Sequence, residues 1–273
     1  PCLPAPSAHP TAYDAVRGGL ALIRQPPTTD CQECRAFRQR AVELDPLYAQ
    51  AWAQLSIAEA QIYFEAEHPS ACLERSRHAA ETAVRLQPEL SEARAALGLF
   101  YYLCLHDYDR ALIELNEAHN LSPNEGSAIF YIGLVKRRQG KLDAAIEALK
   151  KAAALDPRNQ NIWANLARSY RGKRYFAAAR TAFERAFAIS PDETEFVGEI
   201  AESYMAQGDL EAAEKLFHER NLEGTTDALG EAVNLLVYRR RFDEAAKIFE
   251  EASKKQTDRS PFHKADDKSW LGS

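Results

Sequence analysis

The fold is decided by residues 160–191, which read QNIWANLARSYRGKRYFAAARTAFERAFAISP. Large side chains fall at Trp163, Leu166 and Tyr170 in the first half, and small residues alternate with Phe183 in the second half. Pro191 ends the stretch, because proline lacks an amide proton and disfavours helical geometry in the residue before it. The pattern predicts two helices joined by a short turn, a helix A followed by a helix B.

Closing prolines recur along the chain and set a period. They are Pro46, Pro88, Pro123, Pro157 and Pro191, at separations of 42, 35, 34 and 34 residues. The text before them is similar as well: residues 40–46 read RAVELDP and residues 152–157 read AAALDP. A fixed period of this length is the sequence signature of a repeat architecture. The chain is therefore predicted to be an array of helical pairs.

These residues resemble the tetratricopeptide repeat (TPR) family, whose signature is W-x2-L-G-x2-Y, then A-x3-F, an alanine and a closing proline. The best match is Trp163, Leu166, Ala167, Tyr170, Ala179, Phe183, Ala186 and Pro191. The resemblance implies an all-α fold, a right-handed superhelix (α-α solenoid) of about seven helix-turn-helix repeats. Small residues at Gly98, Gly133 and Ala167 are expected to let helix A approach helix B closely.

The expected organisation is a linker at residues 1–10, an array at 11–254 and a tail or capping segment at 255–273. The predicted repeats are about 11–46, 47–88, 89–123, 124–157, 158–191, 192–225 and 226–254. The second repeat carries an insertion of about eight residues near 64–70, and the third is one residue longer, which we place in its inter-helix turn. Trp270 and Leu271 in the tail are candidates to cover the exposed end of the array.

Composition limits the classes of function. The formal net charge is −6 and the pI is about 5.7, which argues against a nucleic-acid surface because affinity for phosphate chains comes mainly from clustered Lys and Arg. Five scattered cysteines favour a reducing, cytoplasmic compartment. No run reaches the roughly 18 to 20 apolar residues of a membrane span. We expect neither nucleic acid nor membrane as a partner.

The first repeats also resemble the TPR arrays of one particular class of proteins. Residues 12–125 resemble the C-terminal TPR regions of bacterial multidomain signalling proteins, in which the array follows an adenylate-cyclase, kinase or winged-helix regulatory domain. The chain begins with Pro1 rather than Met, in a stretch rich in Pro, Ala and Ser. We therefore expect a piece of a larger bacterial regulatory protein.

A candidate partner-binding groove follows from the repeat register. In a TPR array the A helices line the concave surface, and fixed positions of each repeat share one helical face. On the third to fifth repeats this face gives Leu99, Tyr102, Phe130, Leu134, Arg137, Arg138, Asn161, Asn165, Arg168 and Arg171. An apolar floor beside a basic strip suits an acidic or extended peptide. The alternative is that Arg168 and Arg171 pair with Glu195, Glu199 and Glu202 on the next A helix.

Nothing in the sequence indicates a catalytic, cofactor or metal site. The Gly-rich and nucleophile motifs of common enzymes do not occur, and the single C-x-x-C at residues 31–34 has no second pair at metal-ligand spacing. The predicted function is a non-catalytic scaffold that binds a protein or peptide. The alternatives are a self-association module, which would make the chain a homo-oligomer, and the non-catalytic region of a glycosyltransferase or cyclase.

Overall fold

A computed structural model describes residues 31–65, 69–193, 195–220 and 229–248, together with Thr11, Asp14 and Glu250. Within these ranges every regular element is a helix. The proposed linker, most of the first A helix and the C-terminal segment with Trp270 and Leu271 lie outside the described residues. None of the described helices is long and apolar enough to cross a membrane. The chain divides into two compact units, residues 1–157 and 158–273, and each unit is described by itself.

Unit 1 consists of helical hairpins. Its helices are α1 (Cys31–Leu44), α2 (Ala49–Glu65), α3 (Ser70–Leu86), α4 (Ser91–Leu99), α5 (Tyr108–Leu121), α6 (Gly126–Arg138) and α7 (Leu142–Leu155). The pairs α2/α3, α4/α5 and α6/α7 pack as A and B helices, and α1 packs on α2.

Unit 2 repeats this arrangement. Its helices are α8 (Gln160–Gly172), α9 (Phe176–Ile189), α10 (Glu195–Gln207), α11 (Leu210–Glu219) and α12 (Leu229–Tyr238), and residues 242–248 are also helical. The A and B helices α8 and α9 pack together, as do α10 and α11. Its core contains Ala167, Phe183, Ala186 and Ile200, with Trp163 and Tyr170 packed against them, as the repeat signature predicts.

The insertion in the second repeat lengthens helices. Both α2 and α3 have 17 residues, whereas α6 has 13 and α7 has 14. Most of the additional residues therefore extend the two helices, and only one is left for the segment that joins them. The hairpin of the second repeat is consequently taller than its neighbours, and Phe64 lies on the part of α2 that the insertion adds.

The extra residue of the third repeat does not lie in the inter-helix turn, so that prediction was wrong. Helix α4 continues as a π-helical turn, Phe100–Cys104, and only three residues separate this turn from α5. A π turn spans one residue more than an α turn. It keeps both Phe100 and Cys104 in a buried cluster with Ala60 and Leu97, which explains why the helix takes up the additional residue.

Close packing of A on B depends on the small residues. A Cβ atom at position 133 would lie 2.7 Å from Cγ of Leu149, and one at position 98 would lie 2.8 Å from Cγ of Leu115. Leu115 and Leu149 are both fully buried and have little room to move. Glycine at these two positions is therefore required by packing, as the sequence predicts.

The turns between A and B helices share one backbone feature. A residue with positive φ occurs in five of them: His106, Gly140, Arg174, Gly208 and Arg240, with φ between 53° and 88°. Glycine adopts this region without the clash that a Cβ atom causes. Three turns therefore carry a conformational cost that Gly140 and Gly208 avoid.

Candidate partner-binding surfaces

In unit 2 the predicted basic strip is part of an ion-pair network. Arg168 donates from Nε to Oε1 of Glu199 at 2.7 Å and from Nη2 to Oε1 of Glu195 at 2.6 Å. Arg171 donates to Glu199 and Glu202. Glu199 is only 8% exposed and lies between the two guanidinium groups. The structure therefore has the alternative arrangement, in which Arg168 and Arg171 pair with glutamates of the next A helix. The positive charges of α8 are neutralised by the negative charges of α10.

The two asparagines of the predicted groove stand beside this network on α8. Asn161 is exposed, and Asn165 donates from Nδ2 to the backbone carbonyl of Asn161 at 2.8 Å. An amide engaged within its own helix has fewer groups left for a ligand backbone. In unit 2 the predicted groove residues are therefore mostly occupied by contacts inside the protein.

In unit 1 two residues of the predicted apolar floor are closed to solvent. Leu99 is 1% exposed and Tyr102 is 5% exposed, and the Tyr102 ring lies 6.2 Å from the ring of Tyr108. Phe130 and Leu134 on α6 remain half-buried. The accessible residues of the predicted apolar floor are therefore Phe130 and Leu134 on α6.

The carboxyl-terminal end of α6 presents a cation, Arg138, that contacts an aromatic ring. The guanidinium of Arg138 lies over the Phe64 ring, 5.8 Å from its centroid. No carboxylate among the residues that the structure describes pairs with Arg138. Phe130, Leu134 and Arg138 follow each other at four-residue spacing and so share one face of the helix. We call Phe64, Phe130, Leu134 and Arg138 the α6 surface; Arg137 beside it is half-buried.

A second charged site, which the sequence did not reveal, lies among α1, α2 and α3. Glu59 on α2 is 1% exposed and accepts two hydrogen bonds of 2.9 Å from Arg75 on α3. Arg35 on α1 lies 3.8 Å from the same carboxylate. Arg75 also donates to Sγ of Cys72 at 3.2 Å, and burial raises the pKa of the Cys72 thiol, as does its hydrogen bond to Glu59.

One feature of the sequence could have identified this second site. Glu59 occupies the repeat position that Tyr101 and Tyr170 hold in the third and fifth repeats, a position that faces the hairpin interior. A carboxylate there must be paired, because burying an isolated charge is costly. Its partner Arg75 belongs to another helix, and helix periodicity alone does not identify such a contact.

Two other groups of residues form ion pairs or lie at the start of a helix. Arg239 and Arg241, at the end of α12, pair with Glu214 at 2.9 and 2.8 Å, in keeping with a structural role. Helix α1 begins at Cys31, so the C-x-x-C of residues 31–34 lies in its first turn. Among the described residues, no group of three or more His, Cys, Asp or Glu side chains is placed to hold a metal ion.

Comparison with known proteins agrees with this geometry. Residues 133–173 match a family model described as TPR repeat, and residues 174–232 match one described as Tetratricopeptide repeat. The chain contains tetratricopeptide repeats. The predicted all-α repeat fold is thereby confirmed. Such repeats are in general a non-catalytic scaffold for protein–protein interaction.

Solved TPR structures are similar to this chain in fold. A thermophilic TPR protein of Thermus thermophilus gives a TM-score of 0.60 at 18% identity, covering 71% of this chain and 99% of its own. A human IFIT1 dimer with PPP-AAAA gives 0.71 at 19% identity, covering 90% and 59%. The APC/C hetero-tetramer Cut9–Hcn1 gives 0.63 at 18% identity, covering 86% and 43%. No curated protein matches the sequence significantly.

Proposed function

We propose that these tetratricopeptide repeats form a non-catalytic scaffold that holds an extended, acidic segment of a partner protein on the α6 surface. The proposal is carried by one observation: Arg138 has no acidic partner among the described residues, whereas Arg168 and Arg171 are already paired with glutamates. A carboxylate of the partner can neutralise the charge of Arg138 and accept its hydrogen bonds, as Glu199 does for Arg168 and Arg171.

The chemistry of the α6 surface suits such a ligand. The Arg138 guanidinium offers a planar fork of N–H donors that matches a carboxylate. Its position over the Phe64 ring restricts the side chain before binding, so that less rotamer entropy is lost when the partner arrives. Half-buried Phe130 and Leu134 provide apolar contact beside the charge. The expected ligand therefore combines an acidic residue with an apolar one.

The position of Arg138 also explains why the cation is tolerated without an acidic partner among the described residues. Lys136, Arg137 and Arg138 form the last turn of α6, where the helix dipole favours positive charge. The dipole stabilises the free protein but does not saturate the guanidinium with hydrogen bonds. A site of this kind can exist empty and still gain energy from a carboxylate ligand.

Fluorescence polarisation with two octapeptide pools tests the proposal. One pool combines Asp and Glu with Leu, Phe and Gly, and the other replaces the acidic residues with Lys and Arg. The acidic pool should bind the native chain, and Arg138→Glu should weaken that binding at least tenfold, because an attractive charge pair becomes repulsive. Lys151→Glu, an exposed residue on α7, makes the same charge change away from the surface and should leave binding unchanged.

Two results would contradict the proposal. One is equal weakening by both variants, which would indicate a general effect of net charge. The other is displacement of the acidic peptides by a single-stranded oligonucleotide of equal charge, which would indicate a nonspecific polyanion site.

The proposal extends to the setting of the array. The resemblance of residues 12–125 to arrays behind bacterial regulatory domains supports a cytoplasmic role in a larger regulatory protein, where the array would recruit a partner to another domain. Reading the complete open reading frame tests this extension, and a frame without any further domain contradicts it.

A further inference from the structure

The site built by Arg35, Glu59 and Arg75 is also the floor and wall of a pocket. The pocket has a volume of about 450 Å³ and is lined by side chains of α1, α2 and α3, among them Gln39 and Arg40. We infer that this pocket binds a single carboxylate group carried by a polypeptide. It shares no residue with the α6 surface and goes beyond the function proposed above.

Glu59 at the floor fixes one of the two binding arginines. Its two oxygens accept from Nε and Nη2 of Arg75, each at 2.9 Å, and this hydrogen bonding raises the pKa of Arg75. Because Glu59 is 1% exposed, the pair is held in one geometry. The pocket therefore offers a guanidinium whose position does not have to be ordered when a ligand binds.

Some N–H donors of Arg75 and Arg35 have no hydrogen-bond partner among the described residues. Arg75 uses Nε and Nη2 for Glu59, which leaves its Nη1 group without a partner among the described residues. Arg35 lies 3.8 Å from Glu59, which is an ionic contact but too long for a hydrogen bond. The Arg35 side chain is 38% exposed and the Arg75 side chain is 42% exposed. Among the described residues, Arg35 and Arg75 thus both have N–H groups without a hydrogen-bond partner, and both side chains are accessible.

The charge of the lining selects the ligand class. Arg35, Arg40 and Arg75 face Glu43 and Glu59, so the lining carries one excess positive charge. Arg40 and Glu43 already pair with each other at 3.2 Å, which assigns the excess to Arg35. A carboxylate neutralises one charge and can accept a bidentate fork from Arg35 together with a bond from Arg75. A phosphate dianion would overcompensate beside Glu59, so the pocket favours carboxylate.

NMR of the arginine Nε–H groups tests the inference on the full chain. Three probes are added separately: a pentapeptide amide with one central glutamate, pentaglycine with a free C-terminal carboxylate, and inorganic phosphate. We expect one or both peptides to shift the signals of Arg35 and Arg75 saturably, and the comparison between them shows whether a side chain or a chain end supplies the carboxylate. Shifts with phosphate alone, or with none of the probes, would overturn the inference.

Matched variants locate the binding. Arg35→Gln removes the main ligand donor without unpairing Glu59, which keeps Arg75, and should weaken peptide binding at least tenfold. Arg77→Gln removes an exposed arginine of the same helix as Arg75, one that pairs with Glu74 outside the pocket, and should leave binding unchanged. Peptide shifts that persist unchanged in Arg35→Gln overturn the assignment. Because the α6 surface is tested through Arg138, either idea can fail without the other.

Discussion

The A helices α6 and α8 both carry arginines on their predicted ligand-facing side, yet the two sets differ in what neutralises them. Arg168 and Arg171 on α8 meet Glu195, Glu199 and Glu202 of α10. Arg138 on α6 lies over Phe64 instead. In unit 1 the preceding A helix, α4, and the π turn that continues it carry Leu99 and Tyr102, and both are buried. Arg168 and Arg171 are therefore structural, whereas Arg138 has no acidic partner among the described residues.

The largest expected effect comes from removing the shared carboxylate in unit 2. Glu199→Gln leaves two arginines, each about one quarter exposed, without their buried counter-charge and should lower the free energy of unfolding by about 2 to 3 kcal/mol. Arg138→Gln should change it by less than about 0.5 kcal/mol. Urea unfolding followed by circular dichroism measures both. Equal losses in the two variants would remove the distinction between the arginine sets.

The helix contacts offer a second comparison between the units. Gly133→Ala in unit 1 should cost about 2 kcal/mol, because its Cβ would lie 2.7 Å from Cγ of buried Leu149 and overpacking strains a core. Unit 2 already has alanine at the equivalent position, Ala167, opposite Phe183. Ala167→Gly should cost only about 1 kcal/mol, from helix propensity. A stabilised Gly133→Ala variant in thermal unfolding would show that the hairpin spacing is not set by this contact.

The turns between helices give the smallest expected effect, with opposite signs in the two units. Gly140→Ala in unit 1 should destabilise by about 1 kcal/mol, since φ is 75° and no neighbouring atom lies within 4 Å, which leaves only the backbone cost. Arg174→Gly in unit 2, where φ is 61°, should stabilise by up to about 1 kcal/mol. Denaturant midpoints moving in the same direction would contradict this account of the turns.

The sequence predicted the fold because the features that determine it are local. The closing prolines, the small residues such as Gly133, and aromatic residues such as Trp163 act within one helical hairpin, and the 34-residue period repeats them. The extra residue of the third repeat was misplaced because a one-residue excess fits either a turn or a helix. The burial of both Phe100 and Cys104 in one cluster favours the π turn.

The candidate site was less predictable because its outcome depends on contacts between helices. The repeat register predicted that Arg138 and Arg168 lie on equivalent helix faces. Whether Arg168 binds a ligand or pairs with Glu199 depends on how closely α8 approaches α10, and the sequence left both possibilities open. The pocket of Arg35 and Arg75 was missed altogether. Its carboxylate, Glu59, stands out only as a charge at a position where other repeats carry tyrosine.

Hydrogen–deuterium exchange with an acidic octapeptide selected from the pool tests the central claim most directly. Because we place the acidic octapeptide on the α6 surface, bound peptide should slow exchange in peptic fragments of α6 and of the carboxyl-terminal part of α2, which carries Phe64. Fragments of α8 and α10 should exchange as in the free protein. Protection of α8 and α10 with unchanged exchange in α6 would contradict the account, because it would show that the glutamate-paired arginines, and not Arg138, hold the ligand.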